Sequence, residues 1–130
     1  MADHDDAERF ELLAHRVLDA HQVLRDLLKA LPLPVEVPSF DPEGSVEDTR
    51  EALVSLSRAR DLVWDEPIPE VHRKAIQTLI LEWFMGYEEL VLTNSAGPAP
   101  WRMDAVEYAM SRFATLAIML ADGELDDDES

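Results

Sequence analysis

The stretch Ala75–Leu92 reads AIQTLILEWFMGYEELVL and is the most apolar run of the 130-residue chain, with Glu82 set between Leu81 and Trp83. An isolated ion is too costly to bury, so a charge inside an apolar helix is paired, functional or turned toward water. Projected at about 100° per residue, Val71, Ala75, Thr78, Gly86, Glu89 and Thr93 fall within about 40° of Glu82. Ile76, Leu79, Ile80, Trp83, Phe84, Tyr87, Leu90 and Val91 take the opposite arc. The projection predicts that Glu82 faces water or the edge of an interface. The apolar arc of roughly 200° is wider than one neighbour covers, which makes this helix either central or buried against a partner as well.

Punctuation on both sides sets the limits of that helix. Pro67 and Pro69 suit an opening turn, where a missing N–H costs little, and TNSAGPAP over 93–100 does not comfortably continue a helix, so the expected span is about 69–93. Beyond the loop, Val106, Ala109, Met110, Phe113, Leu116, Ala117 and Leu120 recur on one face of a helix over about 102–121. Upstream, Ser45 is a good N-cap for a helix over about 46–64, with Glu47 and Asp48 in its first turn. The first helix is expected over about 5–31, with an apolar face that includes Phe10, Leu13, Val17, Leu24 and Leu28.

Between the first two helices PLPVEVPSFDPEG (32–44) holds four prolines and predicts an extended strap whose Val35, Val37 and Phe40 cover one end of the bundle. The whole is an all-α fold, a four-helix bundle with a Pro-rich connector between helices 1 and 2, in a single domain over 1–130. Residues 122–130, with the run GELDDDES, read as an acidic mobile tail.

The chain carries 28 acidic and 11 basic residues, a formal charge of −17. Such a field repels phosphates and anionic lipid, which argues against direct nucleic-acid or membrane binding and leaves a basic protein as a possible partner. No cysteine is present, so disulfides and thiolate metal sites are excluded. The acidic N-terminal residues do not resemble a secretory signal and no apolar run reaches the roughly 20 residues of a membrane span. A cytoplasmic protein is expected.

Candidate chemistry is sparse. Periodicity points His21 on helix 1, Arg60 on helix 2 and Tyr87 on helix 3 inward, where together they would line a polar pocket for an anion or carboxylate. Glu11, His15 and Asp19 stand one turn apart on helix 1, but as a solvated stripe. No Glu-x-x-His pair and no Gly-rich phosphate loop occurs, and neither a metal nor a cofactor is expected.

Arg16-Val17-Leu18-Asp19-Ala20-His21, an arginine and a histidine separated by four residues, resembles the catalytic signature of HEPN-type ribonucleases, which are helical bundles that commonly dimerise to assemble their site. The likeness covers six residues. It departs from the family in lying on the first helix and in having Val17 after the arginine. It implies RNA cleavage by Arg16 and His21.

Excess apolar surface is the broader signal. Phe84 and Val91 on helix 3, Trp101 beside the Pro-rich loop, and Ile118 and Met119 on helix 4 form the expected interface, through which helices 3 and 4 would self-associate. The expected function is therefore that of a non-catalytic protein acting by protein–protein interaction, as antitoxin-like or immunity-like adaptors do. A small enzyme or ligand binder at His21, Arg60 and Tyr87 is the alternative.

Overall fold

A computed structural model of the chain describes residues 2–31, 33, 36–40, 43–97 and 99–123, with side chains from Asp6 onward. Val35 of the expected strap and most of the expected acidic tail, from 124, lie outside the described residues. Four helices follow in order: α1 (Ala2–Lys29), α2 (Val46–Val63), α3 (Glu70–Ala96) and α4 (Pro100–Ala121). The fold is an all-α four-helix bundle. No described helix is long and apolar enough to cross a membrane.

Several helix ends have a local cause. The Ser45 hydroxyl accepts the Asp48 N–H at 3.1 Å and opens α2. The Arg73 guanidinium donates to the Glu66 and Ile68 carbonyls, both at 3.1 Å, and so fixes the link from α2 to α3. The third helix runs one turn past its expected end, because Asn94 and Ser95 tolerate helical backbone. It stops at Gly97, whose φ of +97° is favoured only without a side chain. Pro100 then occupies the first turn of α4.

The third helix packs on each of the other three, and its contact with α4 is the most extensive. Its fully buried Leu79, Ile80 and Trp83 meet Val17 and Leu24 of α1, Leu56 and Val63 of α2, and Val106 of α4 in one core. The indole N–H of Trp83 donates to the Val17 carbonyl at 2.9 Å, tying α3 to α1. Across the other side, Arg9 of α1 pairs with Asp104 and Glu107 of α4 at 2.7 and 2.8 Å. The connector lies on the bundle: Val37 is buried and its carbonyl accepts from the Arg25 Nε–H at 2.9 Å, while the Phe40 ring sits against His21, Trp83 and Tyr87.

Of the stripe around Glu82, Thr78 is exposed and Val71 and Glu89 are half-buried, but its centre is turned the opposite way from the expectation. Glu82 is only 3% exposed, and Ala75, Gly86 and Thr93 are buried with it. The stripe of small residues is where α4 comes close. A Cβ at Gly86 would stand 2.6 Å from the Met110 methyl and 3.6 Å from the Ala109 Cβ, so the missing side chain is what lets the helices approach. The open edge of α3 carries its apolar Leu81, Met85 and Leu92 beside the exposed Lys74, Thr78 and Glu88.

Candidate functional site

Of the three residues expected to share a polar pocket, two lie against the same pair of rings, Phe40 and Trp83, and no contact joins them directly. His21 is 2% exposed, its ring centroid 5.1 Å from that of Trp83 and 5.6 Å from that of Phe40. Tyr87 stacks on Trp83 at 5.1 Å and meets the edge of Phe40 at 5.4 Å. Burial, seconded by the positive charge of Arg25, lowers the His21 pKa to about 4, and burial raises that of Tyr87. The imidazole is thus neutral near neutral pH, and its Nε2 has no hydrogen-bond partner. Beside the cluster, Phe10, Ala14, Leu18, Tyr87 and Leu90 line a mainly apolar cavity of about 300 Å³.

Arg60 is not part of this group. Its side chain is exposed, and only its backbone carbonyl is engaged, accepting from Gln77 at 2.9 Å. The second helix packs mainly on α3, so its buried stripe is the narrow set Ala52, Leu56, Ala59 and Val63, and Arg60 falls outside it. The Arg16–His21 pair also separates, since five positions along a helix turn the side chain by roughly 140°. Arg16 lines a groove between α1 and α4 with Asp19, Val23 and Ile118, while His21 is enclosed by aromatic rings on the α3 side. Glu11, His15 and Asp19 are exposed, and among the described residues no group of three or more acidic, histidine or cysteine side chains is placed to hold a metal.

The five expected interface residues do not share a face. Phe84 is partly buried against Trp83, and exposed Val91 borders the cavity beside Tyr87. Ile118 is exposed over the α1–α4 groove and Met119 is half-buried. Trp101 is 60% exposed, with the Arg102 guanidinium 4.7 Å from its ring centroid. Trp101 shares an outward line on α4 with Tyr108, seven residues on and 65% exposed. Leu81, Met85 and Leu92 form the matching outward line on α3. Their helices meet at a cleft lined by one member of each row, Met85 and Tyr108.

Glu82 lies in that cleft, with Glu88, Glu89, Ala105, Ala109 and Arg112 completing an opening of about 320 Å³. The Arg112 guanidinium reaches Glu82 Oε2 at 2.5 Å and lies 5.3 Å from the Tyr108 ring centroid. Glu82 Oε1 and Glu89 Oε1 are both buried and without a hydrogen-bond partner. The cleft therefore sets three carboxylates, Glu82, Glu88 and Glu89, against one guanidinium. Arg112, Leu81, Met85, Leu92 and Tyr108 carry this site and none is evident in a helical projection of α3 read alone. The usable signal is Gly86 one turn after Glu82, since a small residue on a stripe marks close helix approach as readily as a solvent edge.

Comparison of the chain with protein-family models, with curated proteins and with solved structures gives no match.

Proposed function

We propose that this is a non-catalytic interaction protein whose working surface is the outer face of α3 and α4, and that its partner is a basic protein segment. The observation that carries the proposal is the exposure of two apolar rows, Leu81, Met85 and Leu92 on α3 and Trp101 and Tyr108 on α4, of which Met85 and Tyr108 line a cleft whose carboxylates outnumber its cations. Apolar anchors with aromatic residues supply the area of an interface, and the acidic centre supplies its preference for a cationic partner. The His21 cluster offers no comparable chemistry. Its imidazole is neutral, enclosed and without an adjacent nucleophile among the groups it contacts.

An amphipathic helical peptide with leucines on one face and arginines at its edges tests the proposal by calorimetric titration. Binding is expected to weaken steadily with added salt. The double variant Leu81→Ser/Leu92→Ser should lose at least about tenfold in affinity, the size expected when interface anchors are removed. Ile118→Ser, on the α1–α4 groove, should change little. Equal losses in the two variants would sink the assignment of the face.

Self-association through α3 and α4 is the second reading, favoured by the exposure of Trp101 and Tyr108. Its salt dependence has the opposite sign, because two copies of a chain with charge −17 repel and salt screens that repulsion. Sedimentation across concentration and salt separates the two: dimers that strengthen with salt favour self-association, and a monomer throughout removes it.

A further inference from the structure

We infer that the cleft between α3 and α4 is a socket for a single guanidinium group, an arginine side chain presented by the partner. The inference rests on the interaction face proposed above and names what enters its centre. Glu82 forms the floor and is almost fully buried, yet only one of its oxygens is bonded; the other has no donor. Glu89 contributes a second buried oxygen in the same condition from one side. A buried acceptor left without a donor is a standing cost, and an arriving N–H group removes it.

The walls match the rest of an arginine. Met85, Ala105 and Ala109 offer apolar surface to a methylene stem, and the exposed Tyr108 ring offers a face to a planar cation. Arg112 already lies near that ring, which shows the geometry to be available to a guanidinium. The Arg112 side chain is 51% exposed and Met85 is 41% exposed, so both of these long lining side chains reach solvent at the mouth of the cleft. The planar fork of a guanidinium carries five donors and can bond two separate carboxylates at once, which an ammonium serves less well. A metal ion is the poorer occupant, since no three described ligands converge there.

The probe is N-acetyl-arginine amide, titrated into the full chain beside its uncharged isostere N-acetyl-citrulline amide, with backbone amide shifts as the readout. Arginine should shift the Gly86, Tyr108 and Ala109 amides saturably, and citrulline should not. Glu82→Gln should weaken the arginine response at least about fivefold, while Glu47→Gln, an exposed carboxylate at the start of α2, should leave it within about twofold. Glu89→Gln provides a second variant should Glu82→Gln impair folding. Arginine shifts spread evenly over the acidic surface, or equal losses in Glu82→Gln and Glu47→Gln, would overturn the socket. Those outcomes leave the peptide titration with Leu81→Ser/Leu92→Ser untouched, so failure of the socket and failure of the interaction face are told apart.

Discussion

The two flanks of α3 bury a titratable side chain in opposite ways. Toward α1 and the strap, His21 sits against Phe40 and Trp83 with no partner on Nε2, and burial holds it neutral. Toward α4, Glu82 is as deeply buried but takes Arg112 as its counter-ion. The first solution leaves a neutral ring walled by aromatic side chains, with the mainly apolar cavity of about 300 Å³ to one side. The second leaves an opening, because a long side chain that is half in water supplies the compensating charge and only one carboxylate oxygen is served. Each flank leaves a buried polar atom without a partner, but only the α4 side leaves a carboxylate oxygen, which attracts a cation.

The sharpest way to break this contrast is to remove the counter-ion. Arg112→Leu strands Glu82 and should cost about 3 kcal/mol, at the low end for a broken buried pair because Arg112 is partly solvated. A denaturant midpoint with unchanged slope measures it. The double variant Glu82→Leu/Arg112→Leu should recover most of that loss, since two apolar side chains need no compensation. A negligible cost in the single variant would mean that Glu82, like His21, bears burial without its partner.

Acid should attack the other flank. His21 titrates near 4 when folded and near its ordinary 6.5 when unfolded, so the unfolded chain takes up the proton first as pH falls. Its contribution to stability is complete above about pH 6.5 and is lost progressively toward pH 4, amounting to about 2 kcal/mol by pH 5. His21→Phe should flatten that part of the stability profile, and an unchanged slope would assign the acid sensitivity elsewhere.

The smallest effect belongs to the helix contact itself. Gly86→Ala gains helix propensity of about 1 kcal/mol but pushes on the flexible end of Met110, so its net change should stay within about 1 kcal/mol in thermal unfolding. Gly86→Leu, which meets Ala109 as well, should be clearly destabilising and would widen the seam that makes the cleft.

Much of the fold is legible in the chain because helices announce themselves locally. The apolar periodicity of α1 and α4, the Ser45 cap and the prolines flanking α3 each act within a few residues, and they set the helix number and place each boundary to within about three residues. The candidate site is far less legible. Tyr87 and His21 only share the neighbours Phe40 and Trp83, Arg60 turns outward because α2 leans on a single neighbour, and the interface residues scatter because a wheel describes one helix without saying which arc its neighbour takes.

Sequence alone determined four amphipathic helices, a proline-bearing strap and an acidic surface, since propensity, capping and charge are properties of short segments. Tertiary structure decided which side of α3 meets α4. The stripe of Ala75, Glu82, Gly86 and Thr93 has the composition of a solvent edge and also that of a close helix contact, and only the approach of α4 with Arg112 distinguishes them. That choice buried Glu82, exposed Leu81, Met85 and Leu92, and opened the cleft between them, because a buried carboxylate is tolerable once another helix brings a cation to it.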